Sequence, residues 1–240
     1  LAAHPSFAAQ EIREQIVSFA SSVVQNSQTT QEEKQKAFSF AVGEMQKQVT
    51  AYPLDARGHL QLSYVYRAGG DGANALKEIR AASLLSPKKE SIWIEAGATE
   101  WDMGNVQAAQ TDFNTAYALG PQFPELALYA AAGNIAAGDS AAADKILLAA
   151  FGTTNVDSDV LAAAYYRTKN WPRLIALWKL RAERPDAGAK ELFGLASAYY
   201  TAGDKANAIA TIKTAIARYP EVAADGAAAL AEIRGKTAGQ

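Results

Sequence analysis

The chain has 240 residues, of which 49% are hydrophobic and 20% are charged, and its formal net charge is −2. This composition supports a continuous apolar core and excludes wholesale disorder, and the near-balance of charge argues against a nucleic-acid-binding face. Cysteine is absent, which excludes disulfides and thiolate chemistry, and the two histidines, His4 and His59, are too far apart in sequence to suggest a metal site.

The first predicted elements are two helices that differ from the rest of the chain. Residues 7–25 carry apolar side chains near helical spacing: Phe7, Ile12, Ile16, Phe19 and Val23. A polar segment follows, and then Thr30 and Glu33 have the spacing of a capping box, which predicts a second helix over about residues 31–51. We therefore expect residues 7–53 to form a degenerate hairpin at the start of the chain.

From residue 55 onward, a two-residue step recurs at intervals of 34, 34, 31 and 34 residues. The steps are Gly70-Asp71, Gly104-Asn105, Gly138-Asp139, Lys169-Asn170 and Gly203-Asp204. Glycine can end a helix in the left-handed conformation, and Asp or Asn can cap the helix that follows. The spacing predicts helix pairs at 55–69/72–86, 90–103/106–119, 124–137/140–151, 156–168/171–184 and 188–202/205–218.

Small residues recur at fixed offsets within these pairs. Seven residues before each step the chain has Ser63, Gly97, Ala131, Ala162 and Ala196. Five residues after the first glycine comes Ala75, and the matching positions of three later units hold Ala109, Ala143 and Ala208. Small side chains let two antiparallel helices approach closely, and a large apolar residue beside them fills the remaining space.

These positions resemble the pattern of the tetratricopeptide repeat family. Residues 56–87, 90–121 and 189–220 match that pattern well, whereas residues 124–155 match loosely and residues 155–186 diverge, with Leu174 and Arg181 at positions for small residues. The resemblance implies an all-α fold, a right-handed α-solenoid of stacked antiparallel helix hairpins. We expect one array over residues 1–240, with five repeats in 55–220, a capping helix at 221–234 and a tail at 235–240.

The resemblance also implies a concave groove, because certain positions on the first helix of each repeat face it in this family. Those positions hold Leu60, Tyr64, Arg67, Ile94, Trp101, Leu128, Tyr166, Phe193 and Tyr200. Aromatic residues and arginine often supply binding energy, so this set is interpreted as an apolar and aromatic partner-binding groove. The alternative, that the same stripe packs against neighbouring repeats as core, remains open at this point.

Two repeats depart from the family at a position that usually holds a large apolar residue, since Glu100 and Asn134 occupy it. Either these helices rotate, so that Trp101 and Ile135 take the core position, or the polar residues are partly buried. We expect rotation, because burial of an unpaired carboxylate is costly.

No nucleophile–base pair, phosphate loop or metal-ligand spacing is found, so no catalytic, cofactor or metal residue is assigned and the chain is expected not to be an enzyme. The predicted function is a scaffold that binds a protein or peptide, with no nucleic acid and no membrane insertion by this segment. The residues from Tyr52 to Tyr66, with the long helix before them, also resemble the tetratricopeptide tails of bacterial O-antigen-ligase-like membrane proteins. An extracytoplasmic accessory domain of such a protein is therefore the alternative, and since Leu1 is not Met we expect a fragment or a processed product.

Overall fold

The computed structural model describes residues 7–235, without the side chains of residues 7–10, 14, 21, 24 and 25. These residues form α-helices and one 3-10 turn, with no β-strand among them. The helices are α1 Phe7–Gln25, α2 Gln31–Ala51, α3 Ala56–Ala68, α4 Gly72–Leu85, α5 Glu90–Asp102, α6 Val106–Leu119, α7 Pro124–Ala136, α8 Ser140–Phe151, α9 Asp159–Arg167, α10 Trp171–Ala182, α11 Ala189–Thr201, α12 Lys205–Arg218 and α13 Ala223–Gly235. The predicted all-α class of hairpin repeats is confirmed. Residues 236–240 of the predicted tail lie outside the described residues.

The predicted turns within the hairpins form for the expected reasons. Gly70, Gly104, Gly138 and Gly203 have φ between 79° and 87°, and Lys169 has φ 57° in the corresponding place. Asp71, Asp139, Asn170 and Asp204 accept the backbone N–H of a residue three positions further on. Each turn therefore ends one helix in the left-handed conformation and caps the next one.

Asn105 is an exception to the predicted capping. It occupies the cap position of α6, but its side chain makes no capping hydrogen bond. Instead, its amide nitrogen donates to the carboxylate of Glu100 at 2.7 Å. The prediction of a side-chain cap at Asn105 is therefore wrong, because a carboxylate five residues earlier binds the amide.

The small residues at the repeat positions lie where helices meet. Ala75, Ala82, Ala109 and Ala116 have no exposed surface. A Cβ atom added to Gly97 would lie 2.5 Å from a ring carbon of Phe113, so glycine is what allows α5 to approach α6 this closely. Close helix packing in the second repeat thus depends on a missing side chain.

The rotation expected for the second repeat is present. Trp101 is 9% exposed, and its ring meets Phe113 edge-on with 5.9 Å between centroids. Glu100 is partly exposed. In the third repeat Ile135 is 5% exposed and Asn134 only 2%, so the expectation that rotation would keep the polar residue out of the core is wrong there.

The contacts divide the chain into two compact units, one ending at Gly133 and the other starting at Asn134, so the boundary falls within α7. A single array over the whole chain stays a prediction. In the first unit α1 packs on α2, α2 on α3, and α4 on α5. In the second unit α10 packs on α11, α11 on α12, and α12 on the terminal helix α13.

The N-terminal hairpin has the predicted capping box, in which Thr30 and Glu33 bind each other's backbone N–H groups. Ile16 packs against a buried cluster that includes Met45. Phe19 is 67% exposed, however. The predicted apolar face of α1 is therefore only partly covered within the described residues.

Candidate site: an aromatic cavity above a buried ion pair

A cavity of about 480 Å³ lies in the first unit, between α3, α5 and the start of α7. It is open to solvent on one side. Its walls are formed by Tyr64, Arg67, Glu90, Ser91, Ile94, Glu95, Ala98, Phe123, Glu125, Leu126 and Tyr129. Its volume falls within the usual range of ligand pockets in proteins, about 300–1,000 Å³.

An ion pair lines the cavity. Arg67, in the last turn of α3, donates from Nε to Glu95 Oε1 at 2.8 Å and from Nη1 to Asp102 Oδ2 at 3.2 Å. Glu95 is only 3% exposed. Burial raises the pKa of Glu95, although the hydrogen bond and the charge of Arg67 act in the opposite direction. The guanidinium is thus held from two sides and its orientation is set before any partner arrives.

Aromatic rings form much of the remaining wall. Tyr64 is 37% exposed and Phe123 is 51% exposed, so both offer apolar surface to a partner. The ring of Tyr129 lies against Phe113, with 5.6 Å between centroids. The wall around Tyr129 is therefore supported from behind by the core of the second repeat.

The carboxylates of the cavity influence both tyrosines. Burial, and after it the charge of Glu95, raises the pKa of Tyr64. Burial, and after it the charge of Glu125, raises the pKa of Tyr129. Each shift has the sign expected when negative charge opposes ionisation of a phenol.

Three of the residues predicted to face the groove come together in this cavity, namely Tyr64, Arg67 and Ile94. The other three of the first unit, Leu60, Trp101 and Leu128, do not line it. Leu60 is partly buried against the core cluster of Ile79 and Ile92, and Leu128 is partly buried.

Trp101 requires a correction, because its ring is buried against Phe113 and belongs to the core. The rotation of α5 that places the ring there also removes it from the predicted groove. The alternative of a structural stripe therefore holds for Trp101, while Tyr64 and Arg67 remain accessible.

The predicted residues of the second unit have different surroundings. Tyr166 is 58% exposed, its ring meets Trp171 edge-on at 5.8 Å, and it borders a cavity of about 310 Å³ next to Trp178. Phe193 and Tyr200 are partly buried and pack against the core cluster that α11, α12 and α13 share. Tyr166 is thus the most accessible of these three rings.

Sequence reasoning missed several residues of the cavity: Glu95, Phe123, Glu125 and Tyr129. Glu95 and Tyr129 each follow directly after a position predicted to face the groove, Ile94 and Leu128. The partner of Arg67 lies 28 residues further along the chain, in the next repeat. A carboxylate directly beside a groove position, Glu95 next to Ile94, was the sequence feature that could have indicated this partner of Arg67.

The divergent repeat of the second unit contains a cluster of paired charges. Arg181 stands where other repeats have alanine, and its guanidinium lies over the ring of Trp178 at 4.8 Å. It also pairs with Asp157 and Asp159, and Arg184 pairs with Asp157 as well. These bonds join the start of α9 and the segment before it to the end of α10 and the segment after it, which gives the cluster a structural role.

Residues 7–235 contain no group of three or more His, Asp or Glu side chains placed to hold a metal ion. Over the same range, every helix is too short or too polar to cross a lipid bilayer.

A family model described as the tetratricopeptide repeat matches residues 192–222, which hold α11 and α12. No curated protein sequence matches the chain.

Several solved structures share the fold. PilW, described as a widely conserved type IV pilus biogenesis factor, is 15% identical with a TM-score of 0.59, and the match covers 90% of this chain and 96% of that one. A tetratricopeptide repeat protein from Parabacteroides merdae is 15% identical with a TM-score of 0.57, over 85% and 78% of the two chains. PilF of Pseudomonas aeruginosa is 15% identical with a TM-score of 0.55, over 89% and 94%.

At this level of identity the likeness shows the fold alone. The tetratricopeptide fold serves generally as a scaffold for interactions between proteins. The chain thus contains a tetratricopeptide repeat at residues 192–222, and its helix hairpins share the fold of tetratricopeptide-repeat proteins.

Proposed function

We propose that the chain is a non-enzymatic interaction module that binds a segment of a protein partner in the cavity of the first unit. The observation that carries this proposal is the combination of two partly exposed rings, Tyr64 and Phe123, with an arginine that is already fixed in place by Glu95 and Asp102. Aromatic and arginine side chains supply much of the energy at protein interfaces.

Preorganisation supports binding at this place. Tyr64 has few rotatable bonds, and the Arg67 side chain is held by two carboxylates, so little side-chain entropy remains to be lost when a partner docks. An extended peptide or one face of a helix could place a side chain in a cavity of about 480 Å³.

The other members of the predicted groove enter this proposal differently. Trp101 is not part of the proposed binding surface, because its side chain is buried. Tyr166, Phe193 and Tyr200 belong to the second unit, and a role for them in binding stays a prediction.

The alternative, a soluble domain of a larger O-antigen-ligase-like membrane protein, rests on the sequence resemblance and also stays a prediction. The reading frame upstream of Leu1 tests it. Several apolar segments, each of about 20 residues, would support it.

The proposed function is tested by selecting ligands from a display library of random linear peptides on the full chain. Affinities of the selected peptides are then measured for Tyr64→Ala, Phe123→Ala and the control Leu84→Ala. Leu84 is 85% exposed on α4 and does not line the cavity, so it matches the loss of apolar surface without touching the site.

We expect each cavity variant to weaken binding by about 2 kcal/mol, or roughly 30-fold, while the control binds like the wild type. The melting temperature is recorded for every variant. Selected peptides that bind all variants equally would contradict the proposal, as would a loss of binding that only follows a loss of thermal stability.

A further inference from the structure

The charges that line the cavity are unbalanced. Arg67 is the one cation among its lining residues, whereas three carboxylates, Glu90, Glu95 and Glu125, line the same space. A fourth carboxylate, Asp102, lies within hydrogen-bond distance of Arg67. The site therefore carries an excess of negative charge inside a partly apolar wall.

Arg67 offsets only part of this excess. Its Nε is bound by Glu95 and its Nη1 by Asp102, so two of its donors are already engaged. Glu90 has only a loose contact with its neighbour Lys89, with 3.4 Å between Nζ and Oε1, and the Lys89 side chain is 59% exposed. Exposed ion pairs of this kind contribute little.

Two further observations connect the negative charge with the interior of the cavity. Burial is the main cause of the raised pKa of Tyr64 and Tyr129, and the charges of Glu95 and Glu125 respectively raise it further. Arg67 acts in the opposite direction on both rings, but these carboxylates outweigh it, so the local field favours positive charge. The faces of aromatic rings attract cations as well, and this attraction grows when the cation is partly removed from water.

We propose that the partner segment is basic and inserts an arginine or lysine side chain into this cavity, between the rings of Tyr64 and Tyr129 and towards Glu125. This inference rests on the proposed function and adds the chemistry of the partner to it. The rings would pack on the methylene groups and the cation, and the carboxylates would accept its N–H groups.

The same arrangement disfavours an acidic partner. A carboxylate entering the cavity would meet Glu90, Glu95 and Glu125, and the donors of Arg67 that could bind it are partly occupied. Like charges brought together in a partly buried site repel each other strongly.

The test uses peptide pools of random sequence that share one fixed central residue, which is arginine, citrulline, leucine or glutamate. Citrulline has nearly the shape of arginine but no charge, so the difference between these two pools isolates the charge. Affinity of each pool for the full chain is measured by fluorescence anisotropy, for the wild type, for a Glu90→Gln/Glu125→Gln variant and for Tyr64→Ala. Glu221→Gln, an exposed carboxylate outside the cavity, is the control.

We expect the arginine pool to bind about tenfold more tightly than the citrulline pool, and we expect the double variant to remove most of that difference. The leucine pool should bind the wild type and the double variant equally. Added salt should lower the affinity of the arginine pool more than that of the other pools.

The outcomes separate the two proposals. If arginine and citrulline pools bind equally, or the glutamate pool binds best, while Tyr64→Ala still weakens binding, the basic partner is refuted and the binding site stands. If Tyr64→Ala weakens no pool, or no pool binds, the proposed function is refuted and this inference with it.

Discussion

Gly97 offers a sharp test of how the second repeat is packed. A Cβ atom at this position would lie 2.5 Å and 2.6 Å from two ring carbons of Phe113, far inside the normal carbon–carbon separation of about 3.5–4.0 Å. The Phe113 ring has little room to move, because it is 2% exposed and has the rings of Trp101 and Tyr129 on either side. Gly97→Ala should therefore force a shift in a packed core.

Two opposing terms decide the size of the effect. Overpacking of a core costs about 1–3 kcal/mol, and replacing glycine by alanine inside a helix recovers up to about 1 kcal/mol. We expect Gly97→Ala to lower the free energy of unfolding by about 1–2 kcal/mol. At Gly43, inside α2, a Cβ would meet nothing within 4 Å, so Gly43→Ala should raise the free energy of unfolding by about 0.5–1 kcal/mol.

Urea denaturation followed by far-ultraviolet circular dichroism gives the free energy of unfolding of both variants. In a thermal melt, each kcal/mol corresponds to a shift of about 2–4 °C in melting temperature for a chain of this size. Phe113→Leu, added to Gly97→Ala, should cost less than the sum of the two single changes, because the smaller side chain leaves room for the methyl group. If Gly97→Ala proves as stable as Gly43→Ala, the close approach of α5 to α6 described here is wrong.

Three further predictions concern stability. Lys169 adopts the left-handed conformation that glycine adopts in the other repeats. In urea denaturation, Lys169→Gly should therefore stabilise the chain by about 0.5–1 kcal/mol, and Gly203→Lys should destabilise it by at least as much. Asp139 caps α8 by accepting the backbone N–H of Ala142 at 2.9 Å, so Asp139→Ala should lower the free energy of unfolding by about 1 kcal/mol. An unchanged midpoint of urea denaturation would contradict the cap. Burial, and after it the charge of Glu100, raises the pKa of Asp112 from 3.8 to about 6, so the folded chain favours the protonated form and loses stability as the pH rises through that window. At pH 7 the free energy of unfolding of Asp112→Asn should therefore exceed that of the wild type by about 1 kcal/mol, a value reduced for solvent screening. Parallel thermal melts should show this difference shrinking as the pH falls from about 6 to about 4.

The hairpins were predictable because their determinants are local. A glycine that ends a helix and an Asp that caps the next one act within a few residues, and this explains why Gly70-Asp71 and Gly138-Asp139 occur where the period places them. Asn105 departs from the pattern because a side chain outside the cap competes for its amide. The cap pattern does not include Glu100, so it could not anticipate this hydrogen bond.

The site was predictable only in part. Tyr64, Arg67 and Ile94 follow from the repeat register and do line one cavity, whereas Trp101 shares that register and is buried. A small rotation of α5 decides between groove and core for Trp101, and this rotation depends on how the ring packs against Phe113 in another helix.

By itself, the sequence determined the all-helical class, the period of the hairpins and the residues that end and cap the helices, since each of these depends on neighbours close along the chain. Tertiary structure decided which polar groups meet between helices. It pairs Arg67 with Glu95, 28 residues away, and binds His59 to Glu78 through a 2.7 Å hydrogen bond. The physical reason is that such pairs depend on the approach and rotation of packed helices, which result from many side chains acting together rather than from any single position in the repeat.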